Sequence, residues 1–220
     1  MKETKKQWNN TQLRRQFDHS EKIDHNYAQS DQDIFVLSML NGMHNGTYLE
    51  IGAGWPEHIS NTALLERNFK WTGISIDYLE EHVRSWSAAD RTLTKANALN
   101  INYTTLMKDM PPIIDYLSVD CDPGKISLAV LKKLPFDQYR FRIITFEHEC
   151  YCEGPEVKLA SREFLISQGY QLVVSNVSHL GISVDYEDWW CHSDLVDVDR
   201  FQLHISNNDS IKNYQTYLYK

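Results

Sequence analysis

The 220-residue chain has few cysteines, and none is paired at the spacing of a metal or redox site. Its four cysteines form no Cys-x-x-Cys pair, so we interpret Cys121, Cys150, Cys152 and Cys191 as reduced thiols. No apolar run reaches the ~18 residues of a membrane span, and the N-terminus lacks the apolar stretch of ~7 to 15 residues of a signal peptide. We therefore expect a soluble, cytoplasmic protein without membrane contacts.

Linkers and repeats are also absent. No stretch is rich in glycine, serine or proline, and no segment is repeated. The length fits one α/β domain, because single domains extend to roughly 250 residues. The only boundary that the sequence suggests lies near residues 24–27. We predict an N-terminal polar helical arm over residues 1–26 and one domain over residues 27–220.

Positive charge is scarce. The chain has 22 Lys or Arg against 30 Asp or Glu, a formal net charge of -8. The first 24 residues hold six of the bases and four of the acids, which leaves 16 bases against 26 acids in the rest. Such an acidic body is poorly suited to the backbone of a nucleic acid, so we expect no nucleic-acid partner. We interpret the basic N-terminus as a solvated arm.

Strand and helix patterns alternate beyond residue 27. The patterns predict strands at 47–51, 71–77, 92–96, 113–119, 141–146, 170–176 and 180–185. They predict helices at 34–40, 63–69, 80–86, 125–134 and 156–168. The last two strands are too close for a parallel crossover of a dozen or more residues. The sequence therefore predicts a seven-stranded, mostly parallel sheet with an antiparallel last strand and helices on both faces.

Two glycines follow the first predicted strand in the segment Glu50-Ile-Gly-Ala-Gly54. Gly52 and Gly54 can adopt turn conformations closed to other residues, and they let a ligand approach the backbone closely. Asp77 ends the next predicted strand, where a carboxylate can accept both hydroxyls of a ribose, although a plain surface acid is the alternative. This arrangement predicts a nucleoside pocket. A nicotinamide-binding loop is disfavoured because the third glycine of its motif is missing.

The joint order of several motifs resembles the FkbM-type family of class I S-adenosylmethionine-dependent methyltransferases over roughly residues 27–192. The matching segments are Tyr27-Ala-Gln-Ser-Asp-Gln-Asp33, Tyr48-Leu-Glu-Ile-Gly-Ala-Gly54, Ser60-Asn-Thr62, Trp71-Thr-Gly-Ile-Ser-Ile-Asp77, Asp115-Tyr-Leu-Ser-Val-Asp120, Ile143-Ile-Thr-Phe-Glu-His148 and Tyr186-Glu-Asp-Trp-Trp190. The antiparallel ending agrees, because nicotinamide-binding domains continue with parallel units. The resemblance implies a Rossmann-like fold over residues 27–220 and S-adenosylmethionine as the cofactor. It also implies methyl transfer, usually to a hydroxyl of a sugar or another small metabolite.

One departure from the family leaves an alternative open. The family often has an acid-glycine pair after its fourth strand, whereas this chain reads Asp120-Cys-Asp-Pro-Gly124. The alternative is a non-catalytic protein of the same fold that binds S-adenosylmethionine or serves as a scaffold. A nicotinamide-dependent oxidoreductase is a third, weaker hypothesis.

The resemblance implies that the cofactor's methionine end lies at the glycine loop. Glu50, with Gly52 and Gly54, would organise this loop and the amino-acid end of the cofactor, although a salt bridge to a neighbouring loop would also explain Glu50. Asn61 begins the next helix, where backbone N–H groups favour the methionine carboxylate, and capping of the helix is compatible with this role.

The adenosine end is predicted at the next two strands. Asp77 would hold the ribose, with Tyr78 beside it. Asn97 has both a donor and an acceptor for the adenine edge, and Ala98 has a small side chain and a backbone N–H. Formation of a turn would also explain Asn97.

Candidate catalytic residues follow the fourth and fifth predicted strands. Methyl transfer to oxygen requires alignment of the reactants and removal of a hydroxyl proton. His148 is the first candidate base and Glu147 the second, with a packed histidine as the alternative for His148. Asp120 could orient the cofactor's ammonium group. Asp120, Asp122 and His148 could together hold a divalent metal, but we predict a hydrogen-bonded cluster without one.

Two aromatic segments complete the predictions. Asp185-Tyr-Glu-Asp-Trp-Trp190 places three acids beside three aromatic rings, which suits a sugar, although core packing of a tryptophan is equally compatible. The tail with Tyr214, Tyr217 and Tyr219 suggests either a strand or a contact in a homo-oligomer.

Overall fold

A computed structural model describes residues 12–178, 184–197 and 214–220 of the protein. Its strands are β1 (Thr47–Ile51), β2 (Thr72–Asp77), β3 (Thr94–Lys95), β4 (Ile113–Val119), β5 (Arg140–Glu147), β6 (Tyr170–Val177) and β7 (Glu187–His192). Its α-helices are α1 (Gln32–Met39), α2 (Ala63–Phe69), α3 (Glu80–Ala88), α4 (Tyr103–Leu106), α5 (Gly124–Leu131), α6 (Cys150–Glu153), α7 (Glu156–Ser167) and α8 (Gln215–Leu218). Within these described ranges no helix is both long enough and apolar enough to span a bilayer.

The seven strands form one sheet in the order β3-β2-β1-β4-β5-β7-β6. The pairs from β3 to β5 are all parallel, whereas β7 runs antiparallel to both of its neighbours, β5 and β6. This confirms the predicted mostly parallel sheet with an antiparallel last strand. The strand order reverses between β1 and β4, and ligands of such sheets bind in the crevice at this point.

Apolar cores cover both faces of the sheet. One core contains residues of α1 and α2, such as Phe35 and Leu65, and the other contains residues of α5 and α7, such as Val130 and Leu165. Successive residues of β1 belong to opposite cores because side chains alternate along a strand. Helices on both faces are therefore confirmed.

The last strand differs from the prediction. Of the predicted strand 180–185, residues 180–183 lie outside the described residues, and residues 184 and 185 belong to no strand. Strand β7 instead begins at Glu187, and every one of its side chains is buried. Trp189 stacks on Phe35 with ring centroids 4.5 Å apart, and Trp190 lies in the opposite core. The sugar-contact interpretation of Asp185–Trp190 is therefore not supported, because the rings of Tyr186, Trp189 and Trp190 are buried, as the core-packing alternative predicts.

The described part of the N-terminal segment packs onto the domain. Leu13, Phe17 and Ile23 are buried in the core of α1 and α2, and Ser20–Lys22 form a single 3-10 turn. Leu13 forms an isolated antiparallel bridge with Tyr219 of the C-terminal tail. Residues 12–26 are therefore not a solvated arm, and residues 1–11 lie outside the described residues.

The tyrosine-rich tail is mostly helical. Tyr214 and Tyr217 are buried in the same core, and Tyr217 lies in helix α8. The Tyr219 hydroxyl donates to Asp31 Oδ2 at 2.9 Å, before helix α1. The tail therefore closes the core of its own chain.

Candidate functional site

A cavity of about 640 Å³ opens at the carboxyl ends of β1, β2, β4 and β5. Ligand pockets typically measure roughly 300–1,000 Å³, so the cavity can hold a nucleoside-sized molecule. It lies at the reversal of strand order described above. The predicted site residues that line it are Gly52, Gly54, Asp77, Tyr78, Asn97, Ala98, Asp120 and Glu147.

The glycine loop fits tightly against strand β4. Gly52 has a φ of +84°, and a Cβ at this position would lie 1.7 Å from the Asp120 carbonyl oxygen. The N–H groups of Gly52 and Ala53 both donate to the Ile76 carbonyl oxygen at 3.0 Å. Gly54 has a φ of +56°, and no atom lies within 4 Å of its hypothetical Cβ. The loop is therefore packed against the end of β4 at Gly52, whereas space is open beside Gly54. Both glycines line the cavity.

Asp77 is fixed at the end of β2 by three contacts. Its Oδ2 accepts a hydrogen bond from the Gly54 N–H at 3.0 Å, and its Oδ1 accepts one from the Leu79 N–H at 2.8 Å. His82 Nδ1 lies 2.9 Å from Oδ2. A carboxylate oxygen has about two acceptor positions, and Oδ1 uses one of them for the Leu79 N–H. The carboxylate is thus held in position, with acceptor capacity left at Oδ1.

Asn97 lies at the exposed edge of the cavity and also caps a short helix. Its Oδ1 accepts a hydrogen bond from the Leu99 N–H at 2.9 Å, at the start of the 3-10 turn Ala98–Asn100. The turn-forming alternative is therefore present, and Asn97 and Ala98 both line the cavity.

Glu50 lies beneath the glycine loop rather than in the cavity. It is 2% exposed, and its Oε2 accepts hydrogen bonds from Thr62 Oγ1 at 2.8 Å and Ser75 Oγ at 2.7 Å. Burial raises the pKa of Glu50 to about 7, against the lowering effect of the nearby Arg91 cation. Glu50 therefore supports the loop from below.

Asn61 is also buried outside the cavity lining. Its Nδ2 donates to Ser118 Oγ on β4 at 3.0 Å. The N–H of Ala63, the first residue of helix α2, donates instead to Ser60 Oγ at 3.2 Å. Asn61 thus joins the start of α2 to the sheet.

Asp120 and Glu147 form a hydrogen-bonded pair of carboxyl groups in the cavity wall. Burial raises the pKa of both groups, and the charge of Asp120 raises that of Glu147 well above its usual range. Two carboxyl groups in contact cannot both ionise readily. The pKa of each carboxyl group is therefore raised by burial and by neighbouring carboxyl groups, which favours a proton on the pair.

A second acidic group adjoins this pair. Asp122, Glu147 and Glu149 bring one carboxylate oxygen each within 4.8 Å of one another. Glu149 Oε2 accepts a hydrogen bond from the Gly124 N–H at 2.6 Å. This set shares only Asp122 with the predicted trio of Asp120, Asp122 and His148.

The structure does not bring His148 to the cavity. Its side chain is fully buried, and its Nδ1 accepts a hydrogen bond from the Cys150 N–H at 3.2 Å. Its Nε2 lies 3.8 Å from Asp188 Oδ1, and Arg162 Nε donates to Asp188 Oδ2 at 2.7 Å. His148 is therefore the packed histidine of the alternative interpretation, and its first rank as catalytic base is not supported by its position.

The sequence analysis missed much of the cavity rim. Trp55 and Tyr151 line the cavity and are 38% and 51% exposed, beside the predicted Tyr78, which is 63% exposed. The His82 ring meets Trp55 edge-on at 5.0 Å. None of the lining residues in the described part of the chain is Lys or Arg. Exposed aromatic residues directly after a glycine loop or a strand were the available signal for this rim.

No protein-family model matches the chain, and no curated protein matches it. Solved structures with a similar fold include a protein described as an rRNA-methylase from Clostridium thermocellum, with a TM-score of 0.50, 14% identity, and 76% of this chain and 94% of that chain covered. An rRNA methylase from Streptococcus thermophilus has a TM-score of 0.47 and 12% identity, with 73% of this chain and 93% of that chain covered. The METTL16 MTase domain has a TM-score of 0.49 and 15% identity, with 82% and 73% covered. The likeness at a TM-score of 0.50 shows the fold alone, and this fold is that of the class I methyltransferases.

Proposed function

We propose that the protein is an S-adenosylmethionine-dependent methyltransferase that methylates a hydroxyl group of a small, uncharged metabolite such as a sugar. One observation carries the proposal. One cavity at the reversal of strand order is lined by a fixed carboxylate, Asp77, and by two adjacent carboxyl groups of raised pKa, Asp120 and Glu147. Asp77 suits the ribose of a nucleoside cofactor, and the Asp120–Glu147 pair suits removal of a proton.

The cavity residues fit S-adenosylmethionine. Asp77 Oδ1 retains acceptor capacity for a ribose hydroxyl, and Asn97 and Ala98 line the same cavity, where we propose that they contact the adenine. The open side of Gly54 leaves room for the amino-acid end. The cofactor carries cationic sulfonium and ammonium groups, which a cavity lined by carboxylates and lacking Lys and Arg favours. When bound, S-adenosylmethionine supplies a methyl group activated by the positively charged sulfur.

The Asp120–Glu147 pair is the proposed proton acceptor. Because the pKa of both carboxyl groups is raised, the pair can take the proton of an acceptor hydroxyl, and we assign this role to Asp120. The raised pKa of Asp120 makes it a stronger base than an exposed aspartate. Glu147 then stabilises the arrangement by its hydrogen bond to Asp120. This assigns the base to two of the three predicted catalytic residues.

The charge of the cavity supports an uncharged acceptor. An anionic acceptor, such as a nucleic-acid backbone, would meet carboxylates without a basic residue to balance its phosphates. The exposed rings of Trp55, Tyr78 and Tyr151 provide apolar faces for the C–H groups of a sugar. For this reason we do not extend to this chain the RNA substrates named for two of the structural neighbours.

The proposal is tested by transfer of a labelled methyl group. The protein is incubated with methyl-labelled S-adenosylmethionine and, separately, neutral sugars, other hydroxylated metabolites and RNA. We expect label in a neutral hydroxylated acceptor, and a turnover lowered roughly 10²–10⁴-fold in Asp120→Asn, as is typical for loss of a general base. The matched control is Asp109→Asn, whose side chain is 90% exposed.

Two results would contradict the proposal. Label in RNA and in no neutral metabolite would overturn the acceptor class. Cofactor binding without transfer to any acceptor, together with unchanged binding in Asp120→Asn, would favour the non-catalytic alternative.

A further inference from the structure

A buried arginine outside the cavity holds the glycine loop. The side chain of Arg91, which follows helix α3, is 3% exposed and does not line the cavity. We infer that Arg91 is a positioning residue that sets cofactor affinity by fixing residues 54–62, a segment we call the loop 54–62. The inference rests on the proposed function, because it takes this loop to be part of the S-adenosylmethionine site.

The Arg91 guanidinium group connects the beginning and the end of the loop. Its Nη1 donates to the Pro56 carbonyl oxygen and, at 3.1 Å, to Ser60 Oγ. Its Nη2 donates to Thr62 Oγ1 at 2.7 Å, and its Nε donates to Glu66 Oε2 at 2.7 Å on helix α2. Only the planar, rigid fork of arginine can serve four acceptors in this arrangement, since a lysine presents its donors at one point.

The other face of the loop is held by Trp86. The Arg91 Cζ lies 4.0 Å from the centroid of the Trp86 ring, which is fully buried. The Trp86 Nε1–H donates to the Gly54 carbonyl oxygen at 2.9 Å, while the Gly54 N–H donates to Asp77. Both polar groups of Gly54 are thus fixed by neighbouring elements. The orientation of the Gly54 carbonyl group therefore depends on Trp86 and on Arg91, which stacks on the Trp86 ring.

A chain of hydrogen bonds extends from Arg91 to the sheet. Thr62 Oγ1 accepts from Arg91 Nη2 and donates to Glu50 Oε2, which also accepts from Ser75 on β2. Glu50 therefore lies close to the cation that offsets part of its burial. Loss of the guanidinium fork would free the loop and leave this buried polar cluster with fewer partners.

Arg91 and Trp86 join two elements that both line the cavity, the loop 54–62 and helix α3. The loop carries Gly54, Trp55 and Ile59 into the lining, and helix α3 carries His82. Arg91 and Trp86 join the loop to α3 behind the lining. Arg91 thus acts on a bound cofactor only through the residues it positions.

The decisive variant is Arg91→Lys, which keeps the charge and removes the fork. Its matched control is Arg84→Lys on helix α3, where the side chain is 78% exposed and pairs with Glu80 at 3.5 Å. Titration calorimetry with S-adenosylhomocysteine measures Kd, and hydrogen exchange measures protection of the loop amides. We expect Kd to rise roughly tenfold or more in Arg91→Lys, the loss expected for an interaction of ordinary charged hydrogen-bond strength. We also expect faster exchange confined to the loop 54–62, and no change in Arg84→Lys.

A second variant distinguishes a local effect on the loop from a general loss of folding. Trp86→Phe keeps a ring under the guanidinium and removes only the donor to Gly54, so we expect Kd to rise roughly three- to tenfold. Equal Kd values in wild type, Arg91→Lys and Trp86→Phe would overturn the role of Arg91 while leaving the proposed function intact. Faster exchange spread evenly over the whole sheet would also overturn it, because it would indicate a purely structural role. A wild-type protein that binds no S-adenosylhomocysteine would overturn the proposed function itself, and with it the inference.

Discussion

Replacement of Glu50 by glutamine should change how stability depends on pH. In the folded protein, burial raises the pKa of Glu50 from 4.5 to about 7. The folded state therefore retains a proton between pH 4.5 and about 7 that the unfolded chain has lost. A group with a raised pKa stabilises the fold fully below its unfolded pKa, and this contribution is lost as the pH rises through the folded pKa. Wild-type stability should thus fall over this window.

The magnitude follows from the two pKa values. Each pH unit between them corresponds to about 1.4 kcal/mol, so the whole window corresponds to about 3 kcal/mol. Between pH 5 and pH 8 the expected loss from Glu50 alone is about 2–3 kcal/mol, since part of the window lies below pH 5. A glutamine cannot ionise, yet its amide oxygen can still accept from Thr62 and Ser75. Glu50→Gln should therefore lack this part of the decline.

Urea unfolding at pH 5, 6, 7 and 8 measures the free energy of unfolding of both proteins. Asp33 and Glu187 also have raised pKa values, of about 7 and about 8, but they contribute equally to both proteins. The control Glu57→Gln, at a side chain that is 46% exposed, should follow the wild type. Parallel curves for Glu50→Gln and wild type would refute the reasoning, because they would mean that Glu50 is already ionised in the folded protein.

The remaining predictions concern the cavity and its surroundings. Gly52→Ala should lower the free energy of unfolding in urea by ~2–4 kcal/mol, because its Cβ would meet the Asp120 carbonyl oxygen and its φ is positive. Gly54→Ala should lower it by only ~1–2 kcal/mol, because no atom opposes its Cβ, and equal losses at the two glycines would contradict the geometry. Turnover should fall on the acid side of the pH profile, because a second proton on the Asp120–Glu147 pair removes the base, and a flat acid limb would exclude the pair. His148→Gln should leave the calorimetric Kd for S-adenosylhomocysteine within about twofold, because the imidazole does not line the cavity.

The central strands were predictable because their sequences are rich in apolar residues. Strand β4 was expected at residues 113–119 and is found at Ile113–Val119. Such runs are typical of parallel strands that are buried on both faces. The glycine loop and Asp77 were also predictable, because a glycine turn followed by an acid-ended strand is a local pattern.

Strand β7 was not predictable from its own residues. Its acids look like a solvated surface, but their partners are distant in sequence. Glu187 accepts a hydrogen bond from Gln32 Nε2, and Asp188 accepts from Arg162. Only the tertiary fold supplies these donors, so a buried strand resembled an exposed segment.

The choice between His148 and Glu147 failed for a related reason. Both follow the buried part of β5, but adjacent side chains of an extended chain point in opposite directions. Glu147 reaches the cavity and His148 is packed against Asp188. Likewise nothing local marked Arg91, whose hydrogen-bond partners lie 25 to 35 residues earlier in the chain.

Calorimetric titration of the wild-type protein and Asp77→Asn with S-adenosylhomocysteine tests the central claim most directly. An asparagine would place an amide donor against the N–H of Gly54 or Leu79, which disrupts the loop and the ribose acceptor together. We predict one-to-one binding by the wild type and a Kd at least roughly tenfold higher in Asp77→Asn, with the Asp109→Asn control unchanged. Absence of binding by the wild type at millimolar ligand, or equal affinity in Asp77→Asn, would contradict the account.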